Sequence, residues 1–183
     1  MLANTQQLSG FTGSRDTLTA MVRAAQGPGG EKSLVVRNAT EQALGKVFPK
    51  DYLGEILASC YWAWQRVLYV NDPMHVEMVK TPERLVEEIR QRGHARGDCD
   101  DIACLIGTMC LQCGRDAQFV VAGFGQPGHF SHVFCRVKEP KSGAWIVCDP
   151  VAGFDGRTML NRVKTYQIWS LDEMPEAGPI LEK

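Results

Sequence analysis

Through its first 114 residues the chain repeats apolar side chains every three or four positions, and beyond that it nearly alternates them. Helices are therefore expected first and strands after. Residues 1–15 are polar and rich in Gly, Ser and Thr, and they read as a mobile N-terminal tail or an arm that needs a partner. A first helix is expected over about 16–25, with Leu18, Met21 and Val22 on one face, until Gly27-Pro28-Gly29-Gly30 breaks it. A second is expected over about 32–47, before Pro49. The strongest pattern is Leu53, Ile56, Leu57, Cys60, Tyr61, Trp64 and Leu68, which predicts a helix capped by Asp51 and running to near Tyr69. Thr81-Pro82-Glu83 opens a fourth helix that stops at Gly93. A fifth begins at or just after Asp98 and ends at Gly114, with Ile102, Leu105, Ile106 and Met109 as its apolar stripe. Strands are expected over 118–123, 132–138, 144–148 and 164–169. Helices followed by strands give an α+β fold, with N-terminal helices packed on a small antiparallel sheet. Residues 16–183 form one domain with the arm at 1–15.

Composition narrows the function. The 183 residues are 44% hydrophobic and 22% charged, enough apolar content for a single core and too much for wholesale disorder. The net charge of −1 gives no basic excess for nucleic acid or an anionic membrane, so neither is an expected partner. No run of 18 apolar residues predicts a membrane span. The opening Met1-Leu2-Ala3-Asn4-Thr5-Gln6-Gln7 lacks the basic and apolar regions of a secretory signal. The seven cysteines are therefore read as reduced thiols in a cytoplasmic chain. There is no P-loop or dinucleotide glycine pattern, and no cofactor is expected to be required.

Candidate chemistry centres on Gly97-Asp98-Cys99-Asp100-Asp101. Cys99 falls in the first turn of the fifth helix, where unpaired N–H groups and the helix dipole favour a thiolate and could hold an oxyanion. The bland reading is a small packing residue. His132 opens one expected strand and Asp149 closes the next, around the turn residues Glu139-Pro140-Lys141-Ser142-Gly143. Pairing His132 with Asp149 across that hairpin centres the turn between Pro140 and Lys141, inside the segment composition already marks. A carboxylate beside the imidazole would fix its tautomer and leave the other ring nitrogen for a thiol. Individually, Asp149-Pro150 is a common turn opener and His132 a possible core histidine. Cys110-x2-Cys113 with His129-x2-His132 departs from zinc-finger spacing, and His129 reads as a loop or rim residue.

The motifs Gly-Asp-Cys99-Asp-Asp, His132-Val-Phe-Cys-Arg-Val and Trp145-Ile-Val-Cys-Asp149-Pro150 resemble the transglutaminase-like superfamily, a papain-related fold, over about residues 50–152. Cys99, His132 and Asp149 match its catalytic triad position by position. The Tyr52-Leu-Gly-Glu-Ile, Thr81-Pro-Glu-Arg and Gly128-His-Phe-Ser-His stretches resemble the small members encoded by phages and prophages. The acidic residues on both sides of Cys99 resemble the bacterial transglutaminase-like cysteine proteinases. Crosslinking members usually carry an aromatic residue after the Cys; Asp100 stands there, which favours hydrolysis. The resemblance implies a cysteine peptidase or amidase acting on a peptide or protein substrate. The alternative is a virion or tail-assembly protein that keeps the fold and binds other phage structural proteins. A small-molecule amidase or acyltransferase is a third reading. The expected location is the bacterial cytoplasm or the virion. The second oxyanion donor is open among Tyr69, Trp62 and Trp64, and both tryptophans also suit the core. Asp98, Asp100 and Asp101 surround a thiol that should ionise. Either Asp98 caps the helix while Asp100 and Asp101 face solvent or bond to neighbouring Arg or backbone groups, or Asp98 and Asp100 hold a calcium ion, as the resemblance implies.

Overall fold

The computed structural model describes residues 5–9, 13–72, 76–125, 129–152, 161–171 and 181–182. Of the stretches singled out above, residues 1–4 and 10–12 of the arm and Gly128 lie outside them. The chain runs β1 (Thr5–Ser9), α1 (Gly13–Gln26), α2 (Leu34–Leu44), α3 (Tyr52–Arg66), β2 (Val67–Tyr69), β3 (Val76–Lys80), α4 (Pro82–Arg92), β4 (Ala95–Gly97), α5 (Cys99–Gln112), β5 (Ala117–Gly123), β6 (His132–Lys138), β7 (Trp145–Cys148), β8 (Thr165–Ser170) and β9 (Leu181–Glu182). Strands β5 to β9 build one antiparallel sheet in the order β7-β6-β5-β8-β9. The fold is α+β, helices before the main sheet.

Helix α5 is the axis of the molecule. Its residues from Asp100 to Leu111 are all buried, because α1, α3 and the β5–β6 face of the sheet pack around it. A helix enclosed on every side has no need of a polar face, which is why Ile102, Leu105, Ile106 and Met109 are only part of its apolar surface. Gly107 sets the distance to the sheet: a Cβ there would lie 2.9 Å from Leu171 Cδ2 and 3.4 Å from both Cys135 Sγ and Phe119 Cε1. The close approach seats the middle of α5 against the sheet.

The helix boundaries follow local chemistry. Thr81 caps α4 by accepting from Arg84 N–H, Pro82 takes the first position, and Gly93 ends it at φ 81°. Asp51 caps α3 through Gly54 N–H. Three expectations are corrected. Helix α3 ends at Arg66 instead of near Tyr69, because Val67–Tyr69 leaves it to pair in parallel with Ala95–Gly97. The buried face of α3 is Ile56, Ser59, Cys60, Trp62 and Ala63, while Leu53, Leu57, Tyr61, Trp64 and Leu68 are exposed. Within the N-terminal arm, Thr5–Ser9 forms a strand antiparallel to β3, and α1 begins at Gly13, so an intramolecular partner takes up part of the stretch.

Candidate active site

Cys99 is the first residue of α5 and is half-buried, packed against the edge of the core. β4 delivers it: Gly97 pairs with Tyr69 of β2, and a Cβ on Gly97 would come within 2.8 Å of Asp101 Cβ, so only glycine allows the strand to turn into the helix this tightly. Asp98 occupies the N-cap position, yet its side chain makes no capping hydrogen bond. Asp100 and Asp101 are buried. The expectation that Asp98 caps the helix while the other two face solvent is therefore corrected, since the first turn of α5 points inward. Part of the neighbour-bonding alternative holds: Asp101 Oδ1 accepts from the Lys80 backbone N–H at 2.8 Å, and Lys80 Nζ lies 3.2 Å from Oδ2. Burial nevertheless raises the Asp101 carboxyl to about 7, against the opposing pull of Lys80.

Asp98, Asp100 and Asp101 each place a carboxylate oxygen within 4.8 Å of the others. Asp98 Oδ1 is buried and has no hydrogen-bond partner among the described residues. This all-oxygen donor set suits a hard cation such as Ca²⁺. With Lys80 already answering Asp101, Asp98 and Asp100 are the residues that would hold the ion beside Cys99. Added millimolar Ca²⁺ is then expected to raise the melting temperature, chelator to lower it, and Asp100→Ala to abolish the difference. A melt indifferent to Ca²⁺ and chelator would leave Lys80 as the cation that answers the cluster.

The second half of the site is the β6–β7 hairpin. His132 and Asp149 are both buried, and His132 Nε2 lies 2.7 Å from Asp149 Oδ2. The pairing anticipated from the sequence is met by the side chains but not by the ladder. β6 and β7 pair Cys135 with Cys148 through Lys138 with Trp145, two positions away from the expected register. The reason is Glu139: its N–H donates to Ala144 O and extends the ladder, leaving a turn of Pro140–Gly143 closed by Gly143 at φ 72°. A shift of two keeps every side chain on its own face. Continuing the register puts Asp149 diagonal to His132, a neighbour position long side chains can reach. Phe124 and Phe134 flank the imidazole with ring centroids 6.3 and 6.0 Å away. Asp149 takes Nε2, so Nδ1 is the nitrogen available to a thiol.

Tyr69 joins the two halves. Burial and the neighbouring charges of Cys99, Asp98, Asp100 and Asp149 raise its phenol to about 12, so one hydroxyl senses both the α5 N-terminus and the hairpin carboxylate. It stays protonated, and able to donate, throughout the neutral range. Trp62 is in the core, with the Arg66 guanidinium 4.7 Å over its ring and Nε1 without a partner among the described residues. Trp64 is exposed beside Tyr61, ring centroids 5.6 Å apart. Of the three donor candidates, only Tyr69 is placed beside the start of α5 by strand pairing. Cys110 is buried at the far end of α5 and His129 is exposed, and the carboxylates are the only metal-type cluster among the described residues. Lys80 had no signal in the sequence, because it reaches Asp101 from twenty-one residues away in the chain; Phe134 lies two positions along β6 from His132, on the same face of the strand.

No family model matches the chain, and no curated protein does. Solved structures do share its fold. A candidate protease from Parabacteroides distasonis superposes with a TM-score of 0.56 at 12% identity, over 93% of this chain and 31% of its own. A candidate cysteine protease from Cytophaga hutchinsonii gives a TM-score of 0.49 at 16% identity, over 92% of this chain and 55% of its own. The chain thus spans about a third and about half of these two proteins. At such identities the likeness is one of fold, carried by the first. No helix among the described residues is long and apolar enough to cross a membrane.

Proposed function

We propose that the protein is a cysteine-dependent hydrolase of transglutaminase-like type, cleaving a peptide or peptide-like amide with Cys99, His132 and Asp149. The observation that carries this reading is the buried 2.7 Å contact between His132 Nε2 and Asp149 Oδ2. A buried imidazole held on one side by a carboxylate is oriented and fixed in one tautomer, which leaves its other ring nitrogen for the thiol. Cys99 Sγ attacks the amide carbonyl and forms a C–S bond. The proton it surrendered passes through His132 to the departing amine as the C–N bond breaks. Water, deprotonated by His132, then cleaves the thioester, releasing the acid and restoring the thiol. Backbone N–H groups at the start of α5 and the Tyr69 hydroxyl stabilise the tetrahedral oxyanion. A calcium ion on Asp98 and Asp100, when bound, offsets the acidic charge around the thiolate. Motif resemblance supports a phage or prophage origin, with a bacterial cytoplasmic or virion setting.

The test is release of new amines from a casein or mixed-peptide substrate, with Cys99→Ala as the inactive control. Absence of amine release by the wild-type protein over a broad peptide set would overturn the reading and favour an assembly protein with an idle triad. Within an active enzyme, Tyr69→Phe is expected to lower kcat by about 10²-fold, the scale of losing one oxyanion donor, with little change in KM. Trp62→Phe should retain kcat. The reverse ranking would transfer the donor role to the buried Trp62 Nε1.

A further inference from the structure

Seven of the nine large apolar side chains that are exposed among the described residues lie between Leu53 and Val70. Leu53, Leu57, Tyr61 and Trp64 fall within about 80° of arc on α3, and three more exposed side chains follow at its C-terminal end, Leu68 and Tyr69 in β2 and Val70 just after it. Each is 41–50% exposed, a contiguous surface where scattered single residues would be ordinary. The core already has its own face of the helix, so fold stability does not account for this second one. The stripe is also uncharged. Glu55 is bound by Arg115 at 2.8 Å and Arg66 lies over Trp62, so neither of the helix's charged groups belongs to it. Tyr69, in the same run, is the strand partner of Gly97, two residues before Cys99. The Pro150–Ala152 turn that follows Asp149 packs on the same helix.

We propose that this face of α3 and β2 is the substrate platform: it receives an extended, uncharged segment of polypeptide whose large apolar side chains lie along Leu53, Leu57, Tyr61, Trp64 and Leu68 and lead the scissile amide past Tyr69 to Cys99. The inference rests on the hydrolase reading and adds the substrate class. From Leu53 to Leu68 the surface is about 22 Å long, room for six or seven residues of extended chain. Continuity with the nucleophile decides the occupant. A second copy of the protein seated there would cover the approach to Cys99. An anionic membrane would call for basic residues that the stripe lacks. In an extended peptide, alternate side chains share one face, so the stripe selects for apolar residues at every second position.

The test separates binding from turnover. Full-length Cys99→Ala protein, which cannot cleave, is titrated with a fluorescein-labelled eight-residue peptide carrying Leu and Phe at alternate positions. A second peptide has Ser in their place. The apolar peptide is expected to bind at least about ten-fold more tightly, and Leu57→Ser or Trp64→Ser in the same background to weaken it about ten-fold each. Both sites are exposed, and unchanged melting curves confirm intact folds. Equal affinity for the two peptides, or variants that bind as well as their parent, overturns the proposal. So does a dimer that Leu57→Ser dissociates without changing peptide affinity, because the face would then belong to a second copy. Wild-type turnover is read in parallel. Selective binding without cleavage upholds the platform and sinks the hydrolase reading, whereas equal cleavage of both peptides upholds the hydrolase and sinks the platform.

Discussion

Alkylation at neutral pH is expected to modify Cys99 at least about ten-fold faster than any other thiol in the folded protein, and His132→Ala to remove most of that advantage. The contrast comes from position. Burial pushes the thiols of Cys104, Cys110 and Cys135 up, and a hydrogen bond with Cys60, followed by burial, does the same at Cys148. Those groups hold almost no thiolate at pH 7 and are closed to reagent. Among the described thiols only Cys113 shares the half-buried state of Cys99. Burial and the nearby Glu55 raise Cys113 as well, and it stands at the C-terminal end of α5, where the helix dipole opposes an anion. Cys99 stands at the opposite end, where the dipole favours one. The advantage is held to about an order of magnitude because a more acidic thiol is also a less nucleophilic thiolate. Peptide mapping after brief iodoacetamide treatment measures it. Faster labelling of Cys113 would remove Cys99 from the role of nucleophile.

The parts of this architecture that were legible in the sequence are those specified by neighbours in the chain. The cap, proline and glycine of α4 act within a few residues, and so did the alternation that marked β5 to β8. The start of α5 was readable for the same reason, and with it the position of Cys99. The hairpin was readable to within two positions, an error that preserved the face of each strand and therefore the meeting of His132 with Asp149. What failed was set at long range. Leu68 continues the period of α3, but its strand pairs with Arg96, and nothing near residue 68 announces that partner. Both faces of α3 are apolar, so periodicity marked an arc too wide for the core to cover and could not tell the buried half from the exposed one. Asp100 and Asp101 followed the usual rule for a first turn, acidic and outward. The rule gave way because Lys80, twenty-one residues earlier in the chain, supplies a buried partner to Asp101.

Asp149→Asn is expected to fold and to lose up to about 10⁴-fold in kcat, the scale of the equivalent change in a serine triad of the same logic. Two effects combine. An asparagine amide can present its NH₂ group to Nε2, which forces the ring proton onto Nδ1, the nitrogen that has to accept a proton from Cys99. Even with its carbonyl oxygen turned to Nε2, the amide lacks the negative charge that steadies the imidazolium. Both effects act on the proton transfer itself, so the loss should fall on kcat with little change in KM. A purely structural carboxylate would lower the melting temperature and leave kcat in place below the transition. Asp149→Ala provides the comparison: with no group to hold Nε2, it should be at least as impaired as Asp149→Asn, and the residual rate would come from the helix terminus, Tyr69 and substrate binding alone. Because both side chains of the pair are buried, some loss of stability accompanies either change, and kcat is therefore read well below the melting transition of each variant. A kcat for Asp149→Asn within about two-fold of wild type would take Asp149 out of the mechanism and leave Cys99 and His132 to be tested as a dyad.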